Sequence, residues 1–179
     1  MSNPAQTFAE KKMTRDATLE DAAAVAAIYN KCVLESTATF ETEPLSAAQM
    51  RARMEGIMER FPYIVGEIGG EVAGFACAHI WRERPAYGRT LETTVYVAEK
   101  FRGRGMGEEL LGEIVGRCER LPGAHALIAC ITSENAPSVR LHEKLGFRRV
   151  SDFREVGFKF GRYLGVSDFE FLLPRGPAG

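Results

Sequence analysis

The chain has 179 residues, enough for one domain that buries about two-thirds of its extended surface and too few for two large ones. Lys and Arg number 23 against 24 Asp and Glu, a formal net charge of -1, which gives no general attraction to nucleic acid and makes any arginine cluster a local feature. No run of eighteen apolar residues, secretory leader or lipidation signal is visible, so a cytoplasmic chain with no membrane partner is expected.

Cys32, Cys77, Cys118 and Cys130 are widely spread without a C-x-x-C pair, and the first three fall within apolar patterns that read as core thiols. His79, His125 and His142 do not cluster with acids or thiols, so no metal is expected.

Residues 1–13 are polar and aperiodic and are predicted as a flexible extension; residues 14–174 form the single domain, and 175–179 a flexible tail. Arg15 to Thr18 is a short first strand. Thr18 with Asp21 has helix-start spacing, and Val25, Ile28, Tyr29, Cys32 and Val33 then share one helical face. The polar segment 35–45 carries one isolated aromatic, Phe40, and reads as a pocket wall or a plain connection. Ser46 with Gln49 repeats the capping spacing before a helix striped by Met50, Met54, Ile57 and Met58.

After Pro62, the runs Tyr63 to Ile68 and Glu71 to Trp81 flank Gly69-Gly70 as a β-hairpin. His79 lies in its second arm and reads as structural. The loop 81–89 brings Arg82, Arg84 and Arg89 together with Trp81 and Tyr87, which suits either an anion-binding wall or a solvated rim. Leu91 to Val97 is the next strand, and Glu92 is the one carboxylate inside it, where it must face solvent, a cleft or a partner.

That strand runs into Arg102-Gly103-Arg104-Gly105-Met106-Gly107 and then into a helix with Met106, Leu110, Leu111, Ile114, Val115 and Cys118 on one face. Glycines let successive N–H groups converge, and a helix start adds unpaired donors and a positive dipole end. The arginines add charge-assisted bonds. These features describe a pyrophosphate cradle, with a solvated basic turn as the alternative. The glycine spacing fits neither G-x-G-x-x-G nor a G-x-x-x-x-G-K-[ST] loop. A strand at 127–131, a short helix at 135–145 closed by Gly146, and strands at 147–158 and 166–173 around a turn at 161–165 complete the chain. The order predicts an α/β fold, a three-layer α/β/α sandwich on a mixed, mostly antiparallel sheet.

This order, with Arg102-x-x-Gly105-x-Gly107 as the pyrophosphate loop and Asn135-x-x-Ser138-x-x-x-His142-x-x-x-Gly146-Phe147 on the last helix, resembles the GCN5-related N-acetyltransferase superfamily. The stretches Glu92 to Val97, Ser138 to Phe147, Gly157 to Arg162, Ser36 to Pro44 and Trp81 to Tyr87 are similar to its phosphinothricin and methionine sulfoximine acetyltransferase branch. Two positions depart from that branch: Tyr163 replaces a usual tryptophan and Gly165 a frequent aspartate.

The resemblance implies transfer from acetyl-CoA to a small-molecule amine within one ternary complex, without an acetylated cysteine, by a homodimer. It assigns Glu92 as the base, directly or through water; the alternative is a structural carboxylate paired with an arginine of the 82–89 loop. His142 is assigned to the leaving sulfur or to deprotonation of the amine; the alternative is a histidine that only shapes the pocket. Arg102, Gly103, Arg104, Gly105, Met106 and Gly107 are implied to hold the pyrophosphate, and Val95, Tyr96 and Val97 to use their backbone on the pantetheine arm or acetyl group. Asn135 and Ser138 also belong to the cofactor site, and Phe40, Arg82, Arg84, Tyr87 and Thr94 to the acceptor. The acceptor implied is an L-amino-acid analogue; the alternatives are another amine, such as a protein N-terminus, or an acyl-CoA sensor without turnover.

Overall fold

Apolar alternation and helical stripes sort the chain into elements whose apolar faces meet across a sheet. The computed structural model describes residues 11–174. In order they form β1 (Lys12–Asp16), α1 (Ala22–Glu35), α2 (Ala47–Met58), β2 (Tyr63–Ile68), β3 (Glu71–Ile80), β4 (Thr90–Val97), α3 (Met106–Glu119), β5 (Ala126–Thr132), α4 (Ala136–Lys144), β6 (Arg148–Arg149), β7 (Phe153–Lys159) and β8 (Arg162–Leu172).

The sheet order is β1-β2-β3-β4-β5-β8-β6, with β7 also on β8. On one face α1 and α2 bury Val25, Tyr29, Val33, Met50 and Met54 against Val65, Phe75 and Cys77. On the other, the stripe of α3 packs on Ile64, Ala76, Leu127 and Phe169. This is the expected three-layer α/β arrangement.

Three boundaries differ from the sequence expectation. β1 starts at Lys12, so it takes in the last two residues of the predicted extension; residues 1–10 and the tail 175–179 lie outside the described residues. Arg15 secures this edge strand through two 2.8 Å bonds to Asp21 and one to Glu67. The expected strand 147–158 is broken into β6 and β7, because Ser151 bonds Asp168 and Ser167 bonds Asp152, each at 2.8 Å, which ties the intervening residues to β8 by side chains. The last turn is tighter than 161–165: it pivots on Phe160 and Gly161 (φ 52° and 73°), and Arg162 to Gly165 are already strand. Gly165 has a packing reason, since a Cβ there would lie 2.7 Å from the Phe153 carbonyl oxygen and leave an aspartate no room.

One topological feature positions the site. β4 and β5 form the one parallel pair among the described strands, and their register spans only Thr90↔Ala126 to Glu92↔Ile128. Beyond it β4 stays with β3 to Val97, while β5 stays with β8 to Thr132. The sheet therefore opens as a V after Glu92, and the backbone edge of 93–97 that faces β5 has no strand paired with it, its Val97 carbonyl accepting instead from Arg102 Nε at 3.4 Å.

Candidate active site

Glu92 stands at the apex of this V. Alternation along β4 sends Glu92, Thr94 and Tyr96 toward the α1/α2 side, and antiparallel register puts His79 opposite Glu92. A cleft of about 570 Å³ fills the opening, lined on its β4 wall by Glu92, Thr94, Val95, Tyr96 and Val97. Arg102, Gly103, Gly105, Met106 and Gly107 form one end, and Asn135, Ser138 and His142 the opposite wall.

The end at α3 is shaped for an anion. Gly103 and Gly105 have φ of 75° and 80°, left-handed conformations that favour glycine, and Gly105 is the residue before the helix. The first-turn acids Glu108 and Glu109 would repel a phosphate, but Lys144 pairs with Glu108 at 2.6 Å and Lys12 with Glu109. The N–H groups and dipole end therefore act with their opposing charges compensated. Arg102 lines the cleft; Arg104 is not among its lining residues, and its guanidinium lies 5.4 Å from the Phe101 ring centre.

On α4, Asn135 caps the helix by accepting the Ser138 N–H at 3.3 Å, which fixes the wall that carries His142. His142 is 2% exposed, and its ring meets Phe147 edge-on at 5.1 Å. Its Nδ1 lies 2.8 Å from the Ser138 carbonyl oxygen; a carbonyl only accepts, so Nδ1 carries the proton and Nε2 keeps its lone pair. Burial pushes the imidazole pKa down, with the Ser138 bond opposing, so the ring is neutral at pH 7.

A second cavity of about 330 Å³ lies under the loop that follows α1, and it shares Ala38, Glu92, Thr94, Tyr96, Cys130 and Thr132 with the cleft. Phe40, Tyr29, Tyr63 and Phe75 give it aromatic walls; Arg53 and Glu41 supply charge, paired at 2.7 Å. Burial pushes the Glu92 carboxyl above the usual carboxylate range; His79 pulls it back, and the charge of Asp168 pushes it further up. Cys130, beside it, is open to the cavity, yet the partial burial of its thiol and the charges of Glu92 and Asp168 hold its pKa far above the ordinary thiol value. Cys32, Cys77 and Cys118 are buried.

The structure thus brings together Glu92, His142, Thr94, Phe40 and the expected cofactor residues other than Arg104. Arg82, Arg84 and Tyr87 line neither cavity: Arg82 stacks on Trp81 at 4.1 Å and lies 5.5 Å from the Tyr87 ring centre, so these side chains pack on one another. Residues that sequence reasoning missed include Arg53, which helical spacing from Met50 places on the cavity side of α2, and Lys159, which strand alternation hides. Among the described residues no group of three or more His, Cys, Asp or Glu is placed to hold a metal, and no helix is long and apolar enough to cross a membrane.

Known proteins resemble the chain over most of its length. The profile of the Acetyltransferase (GNAT) family matches residues 25–147. The chain is 38% identical over 167 residues to the phosphinothricin N-acetyltransferase of Streptomyces viridochromogenes, covering 91% of each chain. It is 36% identical over 161 residues to the L-methionine sulfoximine/L-methionine sulfone acetyltransferase of Pseudomonas paraeruginosa, covering 89% of this chain and 93% of that one. A solved phosphinothricin acetyltransferase from Sinorhizobium meliloti, in complex with AcCoA, superposes with a TM-score of 0.87 at 36% identity, over 90% of this chain and 88% of that one. With the V-shaped sheet, the glycine cradle and these matches over most of its length, the chain belongs to the GNAT family of acetyltransferases.

Proposed function

We propose that the protein moves the acetyl group of acetyl-CoA to the α-amine of a small L-amino-acid analogue of the methionine sulfoximine, methionine sulfone or phosphinothricin type, by direct transfer in a ternary complex. The observation that carries this reading is the position of Glu92, at the apex where the phosphate-ended cleft and the aromatic cavity meet. Acetyl-CoA supplies an activated acetyl thioester. The cradle at residues 102–107 orients it, and the backbone edge of 93–97 that faces β5 offers donors to its arm and acetyl oxygen.

Glu92 accepts a proton from the incoming ammonium, directly or through water; its raised pKa brings it closer to the operating pH of a general base. The amine then forms the C–N bond as the C–S bond breaks, and the extra proton left on its nitrogen passes to the departing thiolate, giving the N-acetyl product and the CoA thiol. His142 presents Nε2 as a lone pair, which suits it to share a proton beside the sulfur or amine rather than to act as a standing imidazolium. The Cys130 thiol stays protonated, so it is a poor nucleophile, in keeping with transfer without an acetylated cysteine.

A peptide acceptor needs a long groove, whereas the cavity walled by Phe40 has about 330 Å³; this supports a small acceptor over a protein N-terminus. Arg82, Arg84 and Tyr87 line neither cavity and have no part in this reading of the acceptor site. A cytoplasmic homodimer is part of the proposal, supported by exposed Phe153, Val156, Phe158, Phe160 and Tyr163 on β7, β8 and their turn. The test is CoA release from acetyl-CoA with sulfoximine, sulfone, phosphinothricin and ordinary amine acceptors. Acetylation confined to the amino-acid analogues is expected; CoA release with none of them would overturn the reading and leave an acyl-CoA sensor.

A further inference from the structure

The geometry points to Lys159 as a positioning residue for acetyl transfer, acting through the loop of residues 36–39 that it holds between the two cavities. This rests on the acetyltransferase reading above and adds a residue to it.

Lys159 is 3% exposed although it lies on β7 between Phe158 and Phe160, which are 60% and 56% exposed. A buried ammonium is costly unless its hydrogens are placed. Here Nζ donates to the Ser36 and Thr39 carbonyls, each at 2.8 Å, more than a hundred residues away in the chain. The two carbonyls between them are also taken: Thr132 of β5 donates to Thr37, and Tyr96 of β4 donates to Ala38 at 3.2 Å. Four successive carbonyls are therefore clasped by side chains from three strands.

The clasped loop is the partition of the site. Ala38, at its middle, lines both cavities, and Phe40, the next residue after Thr39, walls the acceptor cavity. Gly157, two residues before Lys159 on the same strand, gives Phe40 its seat, since a Cβ there would lie 2.3 Å from the ring. One strand therefore sets both the height of the partition and the position of the aromatic wall. Ser36 and Thr37 line the cleft as well, but the phosphate cradle, in the turn before α3 and its first residues, takes no bond from this clasp. Loosening the loop moves the acceptor relative to Glu92 while leaving the pyrophosphate grip in place.

The experiment compares steady-state kinetics of wild type, Lys159→Met, Lys159→Arg and Thr132→Val with the best amino-acid acceptor, alongside thermal melting. Lys159→Met keeps the stem and removes the donors. The expected result is an acceptor KM raised about tenfold or more and a lower kcat, with the acetyl-CoA KM within about twofold. Lys159→Arg should recover part of the loss, because it can still donate to both carbonyls, and Thr132→Val should show the same split. An unchanged acceptor KM in folded Lys159→Met, a parallel rise in both KM values, or no recovery in Lys159→Arg would overturn the assignment. If Lys159→Met does not fold, Thr132→Val decides: the split supports the clasp and its absence overturns it. A wild-type protein inert toward every acceptor would instead overturn the acetyltransferase reading itself.

Discussion

At the scale of single residues, half-buried Glu92 and buried His142 are both titratable, and desolvation moves them in opposite senses. Glu92 is raised, so the folded protein holds its proton more tightly than the unfolded chain; its contribution is favourable at low pH and is lost as pH rises through the folded pKa. At neutral pH the fold thus carries the cost of a half-buried carboxylate. Glu92→Gln is expected to lower kcat by roughly 10²- to 10⁴-fold, without weakening acetyl-CoA binding or lowering the melting temperature. In the wild type, kcat/KM should climb with pH through a midpoint above the ordinary carboxylate range, and the variant should lose that limb. A pH–rate profile with acetyl-CoA titration measures both.

His142 is lowered, so its contribution is present above its ordinary pKa of about 6.5 and is lost on acidification, as the unfolded chain takes up the proton first. Thermal melts between about pH 7.5 and 5 should therefore show a steeper acid-side loss for wild type than for His142→Gln. A matching slope in the two proteins would place the acid sensitivity elsewhere.

At the scale of elements, legibility followed whether local pattern and tertiary role agreed. The faces of α1 and α3 were readable because every apolar residue of their stripes is spent on the core. The cradle was readable because its glycines are required by backbone conformation. β7 was not: the order Phe158-Lys159-Phe160 suggests aromatics inward and a lysine outward, and the structure has the reverse. Here the inward side meets the carbonyls of a loop, so the lysine turns in to bond them and the aromatics turn out. Nor did the sequence reveal the early end of the β4–β5 ladder, since register between strands separated by a helix leaves no local mark.

The same element yields a mutational prediction. Gly157→Ala places a methyl against the Phe40 ring and should cost about 1–3 kcal/mol of stability by denaturant unfolding. It should also raise the acceptor KM while leaving that for acetyl-CoA unchanged. Rescue by Phe40→Leu of the stability loss, measured as a double-mutant cycle, would identify the collision as the cause.

At the scale of the whole molecule, two apolar cores lie on opposite faces of a sheet whose middle is joined by three residue pairs on the β4–β5 side. α3 and α4 touch each other and pack on either side of the opening, so a molecule held in the cleft contacts both halves. Acetyl-CoA at about 100 times its Kd should stabilise the fold by about 2.7 kcal/mol, read as a concentration-dependent rise in melting temperature.

That opening also governs where the amides are shielded. The segment from Thr93 to Val97 is bonded along its β3 flank and left unzipped along the other. Deuterium uptake there should slow sharply once the arm of the coenzyme lies alongside, as though an extra, non-peptide strand had been added to the sheet. The strand bearing Glu92 would then be at its most rigid only with the coenzyme in place.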